Sequence, residues 1–460
     1  MITPRVRLLP TVGLLSTLLT FPTRLPADDT PTFWQWAPTP PMGWNSYDAY
    51  GDSVKEDEVL ANAQAMKDKL LAHGWNYIVV DFRWYDPVPT YNDNELARNR
   101  IGAKLAADAF GRLLPAPEKF PSAAGGAGFK PLADQVHAMG LKFGVHMMRG
   151  IPRQAVLAET SIDGSTFTAA DAGDPTNKCG WCPDMYGVRN NAAGQAWYDS
   201  VFRLAAQWGL DFVKVDDLST YHTEEIEMIR RAIDKCGRPI VLSTSAGPTP
   251  LAKADHIRAH ANMWRISGDF WDQWPKLNHQ FDLLASWHDF TGPGHWPDAD
   301  MIPFGHISIR NWTGNAKAPK HDRMGRFTPD EEKTLISLWC LGASPLMLGA
   351  NLPDLDDATL ALLTNDEVLA IDQDPLGQAA TRVAQQGASE VWERHLRSGA
   401  TAIGLFNRGD VPKEISFSEA DDGLSSKPPL RDLWLHKDIA LSFTKCTVPP
   451  HGVVLLLERP

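Results

Sequence analysis

Short apolar runs alternate with stretches of helical periodicity from Pro41 to about Gln373. The runs Tyr77-Ile-Val-Val-Asp81, Leu141-Lys-Phe-Gly-Val-His146, Asp211-Phe-Val-Lys-Val-Asp216, Pro239-Ile-Val-Leu-Ser243 and Asn262-Met-Trp-Arg-Ile266 read as strands. Between them, Lys55 to Ala72 repeats Val59, Leu60, Ala63, Met66, Leu70 and Leu71 at helical spacing, and Gly74 supplies a stop. Alternation on this scale predicts a (β/α)8 barrel over 33–378. Most of these strands end in or beside a polar residue. In such a barrel the strand C-termini share one mouth, so Asp81, His146, Asp216, Asp217, Ser243 and Arg265 should converge there.

From about Thr381 the texture changes to short alternating strands, Val391 to His395, Ala400 to Phe406 and Gly452 to Leu457, separated by turn residues. This predicts a small C-terminal antiparallel β-sandwich over 381–460. It shows no aromatic platform for independent sugar binding and should pack on the barrel. The long insertion around Tyr91 to Pro131 is expected to overhang the mouth.

Composition narrows the function classes. The chain has 460 residues, 43% of them hydrophobic, enough for one large core and a second domain. Arg5 and Arg7, the apolar stretch Leu8 to Phe21 and Pro26-Ala27 form the pattern of a secretory signal over 1–27, so a secreted or periplasmic location is expected. That stretch is shorter than the roughly 20 residues a bilayer span needs, and no membrane span is expected in the mature chain. Cleavage after Ala27 removes three arginines and takes the formal charge from −12 to −15, which argues against nucleic acid as a partner. Five cysteines are too few for a disulfide scaffold; Cys179-Gly-Trp-Cys182 reads as a local disulfide or two loop thiols rather than a redox or metal motif.

Two carboxylates stand out. Lys214-Val-Asp216-Asp217 places a Lys and an Asp on one face of a strand end, where the ammonium favours the ionised acid; alone, such a cluster is more often a structural ion pair. Trp264-Arg265-Ile-Ser-Gly-Asp269 delivers an acid beside Phe270, Trp271 and Trp274, surroundings in which a carboxyl can stay protonated; alone, it also reads as a solvated loop acid or helix cap. Hydrolysis of a glycosidic bond needs two carboxyl groups flanking the anomeric carbon, about 5 Å apart in retaining enzymes.

Together, Pro40-Pro-Met-Gly-Trp44-Asn-Ser-Tyr47, Phe212-Val-Lys214-Val-Asp216, Trp264-Arg265 with Asp269, Gly292-Pro-Gly-His-Trp296-Pro-Asp298-Ala-Asp300-Met301 and Ile371-Asp-Gln-Asp-Pro-Leu-Gly377 resemble glycoside hydrolase family 27, the α-galactosidase and α-N-acetylgalactosaminidase family. The resemblance spans about 33–460, with the motifs in the family's order. It implies Asp216 as nucleophile and Asp269 as general acid/base of a double displacement that requires no metal and no organic cofactor. It further implies Trp44, Tyr47, Asp81, Lys214 and Arg265 as sugar-binding residues. Ser245 at the same mouth is a substrate-binding candidate on its own position, and His146, Asp217 and Trp296 are further candidates. The implied function is a retaining exo-α-glycosidase acting on terminal α-D-galactosides.

Several positions depart from the family's pattern. Asp81-Phe82 stands where adjacent acids grip the sugar's hydroxymethyl and O4 groups. Ser243-Thr-Ser245-Ala-Gly-Pro248 replaces a Glu and a bulky aromatic near O2, and Tyr47 replaces a commoner Trp. His146 stands where a Tyr is usual and serves equally as a sugar contact or a hydrogen-bonded structural residue. These departures keep an α-1,6-glucan hydrolase of the isomaltodextranase type, an α-N-acetylgalactosaminidase and a β-L-arabinopyranosidase as alternatives. A non-catalytic glycan-binding protein is the alternative of another class, weakened by the intact acid pair.

Overall fold

The computed structural model describes residues 30–88, 104–218, 221–245, 247–310, 322–416, 430–439 and 445–460. The signal expected over 1–27 and part of the insertion expected around 91–131 lie outside them.

Eight parallel strands build the barrel: β1 (Met42–Asn45), β2 (Tyr77–Val80), β3 (Lys142–Met148), β4 (Phe212–Asp216), β5 (Val241–Thr244), β6 (Met263–Arg265), β7 (Trp296–Asp298) and β8 (Leu346–Leu348). Each pairs with its neighbour in sequence from β1 to β7, and β8 pairs back onto β1. A parallel bridge between Ile302 and Leu348 links the stretch after β7 to β8. The principal helices on the outside are α1 (Glu56–Lys69), α2 (Lys130–Ala138), α3 (Ala192–Trp208), α4 (Thr223–Lys235), α5 (Ala254–Arg258), α6 (Trp274–Trp287), α7 (Pro329–Gly342), α8 (Asp357–Leu363) and α9 (Asp366–Asp372). Local sequence sets their ends: α7 opens on a capping box in which Thr328 accepts from the Glu331 amide and Glu331 returns to Thr328, and α3 ends on Gly209 at φ 81°.

Alternation along the strands divides the barrel interior into layers. Tyr77, Val79, Phe212, Val241, Met263, Trp296 and Met347 point inward and form an apolar plug. The next inward positions along several of the same strands are Asp81, Lys214, Ser243, Arg265 and Asp298, so the polar layer lies directly above the plug. The plug is crowded where β1 meets β2: a Cβ on Gly43 would stand 2.5 Å from that of Tyr77, so only glycine fits.

The C-terminal strands are β9 (Thr381–Gln386), β10 (Ser389–His395), β11 (Thr401–Asn407), β12 (Lys413–Ser416), β13 (Leu430–Asp432), β14 (Lys437–Ile439), β15 (Lys445–Val448) and β16 (Val453–Glu458). They form a six-stranded antiparallel sheet, in the order β9-β10-β11-β16-β13-β14, and a two-stranded sheet of β12 and β15. Val391, Leu405, Leu430 and Leu456 meet Ile415 and Val448 between the sheets. The opposite face, with Trp392, Ala402, Phe406 and Leu455, joins the main core against the barrel helices. Gly404 marks a close approach, where a Cβ would lie 2.5 Å from Leu341 Cδ1 of α7.

Candidate active site

Above the plug opens a cavity of about 320 Å³ lined by Tyr47, Asp48, Asp81, Phe82, Trp181, Lys214, Asp216, Ser245, Arg265, Asp269, Phe270, Trp271, Asp300 and Met301, among others. The structure thus brings together Asp216, Asp269, Tyr47, Asp81, Lys214, Ser245 and Arg265.

Asp216 ends β4, and both of its carboxylate oxygens are engaged. The Asp217 amide donates to Oδ1 at 2.7 Å, and His146 Nε2 lies 2.9 Å from Oδ2. Burial alone would raise its pKa, but the hydrogen bond from His146 and the charge of Lys214 hold the carboxyl below the usual range. Lys214 Nζ donates to Asp81 Oδ2 at 3.0 Å, and Asn45 Nδ2 donates to the same oxygen at 2.6 Å. Burial opposes the charge on each partner, yet their attraction wins: Asp81 is held low and Lys214 high. The floor of the pocket therefore carries a fixed ion pair, with a carboxylate ready to accept from a sugar hydroxyl and an ammonium ready to donate.

Arg265 ends β6 and spans two acids, with Nη2 at 2.8 Å from Asp300 Oδ2 and 3.5 Å from Asp269 Oδ1. Its Nε is buried without a hydrogen-bond partner among the described residues, a donor left over inside the site. Asp269 is the exposed member, its side chain 76% accessible at the rim. Its loop is fixed from behind, because Asp300 accepts from the Phe270 amide at 2.7 Å and buried Asp272 takes a two-pronged ion pair from Arg323. Beneath, burial pushes up the carboxyls of Asp48, Asp300 and Asp298, the last to about 6, with neighbouring acids adding to the effect.

Some expectations are corrected. Trp44 does not line the site: β1 turns it outward, fully buried, with its indole donating to the Ala350 carbonyl at 2.6 Å. Trp296 faces inward but one layer too deep, inside the plug, donating to the Ala37 carbonyl at 2.9 Å. Asp217 takes a left-handed φ of 66° and turns away to Arg149 at 2.7 Å. His146 stands behind Asp216, fully buried, and does not line the cavity. Trp181 and Trp271 line the cavity, whereas Trp264 is core and Trp274 stacks on His451 with ring centroids 3.8 Å apart. The five cysteines are free thiols, so no disulfide joins Cys179 and Cys182; the Cys182 amide instead donates to Cys179 Sγ at 3.3 Å.

Asp48, Asp300 and Met301 were not marked as site residues from sequence. Asp300 carried a signal, two residues beyond the inward Asp298 at the same strand end; Asp48, on the one-turn helix Tyr47–Tyr50 after β1, carried none. Phe82, which stood out in sequence as a departure, forms an apolar wall with Trp181 at 5.4 Å between ring centroids and with His146 at 5.5 Å.

Residues 190–374 match the family model described as alpha galactosidase A, and 386–457 match that of the alpha galactosidase C-terminal beta sandwich domain. An α-galactosidase of Cyamopsis tetragonoloba is 30% identical over 411 residues, covering 88% of this chain and 81% of its own. Alpha-galactosidase A of Cellvibrio japonicus is 29% identical over 458 residues, covering 93% and 94%. Among solved structures, a glycoside hydrolase family 27 β-L-arabinopyranosidase of Geobacillus stearothermophilus is 47% identical, with a TM-score of 0.88, covering 93% of this chain and 98% of its own.

Proposed function

The chain belongs to glycoside hydrolase family 27, and from that premise we propose a retaining exo-hydrolase of terminal galacto-configured sugars that takes α-D-galactosides and prefers β-L-arabinopyranosides. The two sugars share ring hydroxyl and anomeric configurations and differ in the hydroxymethyl group on C5, which the arabinopyranoside lacks. The observation that carries the preference is the Phe82–Trp181 wall beside Asp81. It offers no partner to a hydroxymethyl oxygen, and a buried hydroxyl without a partner is disfavoured. The apolar plug that closes the barrel beneath the pocket supports exo action, since a chain cannot thread through it.

In this reading Asp216 attacks the anomeric carbon while Asp269 gives its proton to the departing glycosidic oxygen. The C1–O bond breaks and an ester to Asp216 forms. Water then attacks C1, Asp269 takes its proton, and the ester bond breaks to release the sugar with its configuration retained. The low pKa of Asp216 supports the nucleophile role. Rim exposure of Asp269 leaves it within reach of both the departing aglycone oxygen and the water that takes its place. Asp81 and Lys214 bind ring hydroxyls, Ser245 and Tyr47 line the walls, and the signal expected from the sequence of residues 1–27 would place this action outside the cytoplasm.

The test is hydrolysis of aryl α-D-galactoside, β-L-arabinopyranoside, α-N-acetylgalactosaminide and α-glucoside, plus dextran, by wild type and Asp216→Asn. Turnover of the first two, faster on the arabinopyranoside and lost in the variant, supports the proposal. Activity confined to another member replaces the substrate assignment, and none at all points to a glycan-binding protein.

A further inference from the structure

We propose that Glu227, His256 and His260 form a site for a borderline divalent metal ion of the zinc class, outside the sugar pocket. Glu227 lies on α4, the helix after the strand carrying Asp216. His256 lies on α5, the helix after the next strand, and His260 follows it by one turn. One ligand atom from each falls within 4.8 Å of the others, and among the described residues this is the one such group of three. None of the three lines the sugar cavity.

The surroundings orient each group for coordination. His260 Nδ1 lies 2.7 Å from the His256 carbonyl and must donate to it, which leaves the lone pair on Nε2. His256 Nδ1 lies 2.5 Å from the Tyr221 hydroxyl, so its Nε2 is the nitrogen turned to Glu227 Oε1, at 3.4 Å. Glu227 Oε2 is held by Arg231 Nη1 at 3.4 Å, which presents Oε1 to the imidazoles. Ring nitrogens anchored on the far side by a carbonyl and a hydroxyl are the outer-shell arrangement of metal-binding histidines. Two imidazoles and one carboxylate suit zinc, with water in the fourth position, and are a poor match to calcium or magnesium, which take oxygen ligands.

The two imidazoles are stacked, with centroids 4.2 Å apart and planes at 22°. Binding turns them out of the stack to aim both lone pairs at the ion. The ion then ties α4 to α5, and through Tyr221 it reaches the chain that follows the Asp216 loop.

The experiment is titration of chelator-treated full-length protein with Co²⁺, followed by displacement with Zn²⁺. One equivalent of Co²⁺ should give the visible absorption of a low-coordinate site, and Zn²⁺ should abolish it and raise Tm. His256→Ala, His260→Ala and Glu227→Gln should each weaken Zn²⁺ binding by more than about tenfold, and Tyr221→Phe, an outer-shell change, by about tenfold. Circular dichroism and aryl glycoside turnover establish that each variant is folded. Absence of stoichiometric Co²⁺ binding, or binding unchanged in folded His256→Ala and His260→Ala, overturns the proposal.

Discussion

His146 Nε2 lies 2.9 Å from Asp216 Oδ2, with the imidazole fully buried behind the carboxylate. This contact holds the acid in one rotamer and contributes to keeping its pKa low. In His146→Phe that stabilisation of the ionised form is gone, so the Asp216 pKa rises. The acidic limb of the kcat/KM profile should move to higher pH, and kcat/KM on the best aryl glycoside should fall about 10- to 100-fold, the worth of a charge-assisted hydrogen bond. A pH–rate profile of both proteins checks this; a fall in rate without movement of the limb would assign His146 to packing alone.

Phe82 and Trp181 close the side of the pocket next to Asp81. Phe82→Asp puts an acceptor where the hydroxymethyl of a galactoside would lie. The ratio of kcat/KM for α-D-galactoside over β-L-arabinopyranoside should rise on the order of tenfold or more. Parallel kinetics on the two aryl glycosides measure it, and an unchanged ratio would place specificity elsewhere.

Asp269 stands at the rim, 3.5 Å from Arg265 Nη2. If it protonates the leaving oxygen, its removal matters most for leaving groups that need the proton. Asp269→Ala should lower kcat/KM by about 10²- to 10⁴-fold on alkyl or sugar aglycones and much less on dinitrophenyl glycosides. A leaving-group series provides the check, and a uniform loss across it would contradict the acid role.

Asp372, in the Ile371 to Gly377 motif, is fully buried beside Arg394 of β10, and its Oδ1 has no hydrogen-bond partner among the described residues. Burial pushes its carboxyl up to about 8, more than Arg394 offsets. The unfolded chain titrates this group near 4, so between about pH 4 and 8 the folded state binds more protons. Stability therefore falls as pH rises through that window, by up to about 1.4 kcal/mol per pH unit from this group. In Asp372→Asn the contribution disappears. Urea midpoints at pH 5, 6, 7 and 8 should converge on the variant's at the acid end and fall below them at the alkaline end.

The barrel and most of the site were legible in the sequence because strand periodicity is local. Lys214 and Asp216 share a face two residues apart, and Asp81 and Arg265 end apolar runs, so their arrival at one mouth follows from the barrel rule alone. Depth and handedness of approach are not local. Trp296 has the right face but sits in the plug because the register of β7 against β6 pairs it with Met263, and Trp44 faces the helices because its neighbours Gly43 and Asn45 take the inward positions. Asp48 enters the pocket, and His256 meets Glu227, through packing between segments that no sequence spacing relates. The sequence by itself determined which residue types face inward and where the strands end. Only the tertiary structure decided which of them reach the cavity, since that depends on inter-strand register and helix docking, which couple distant parts of the chain.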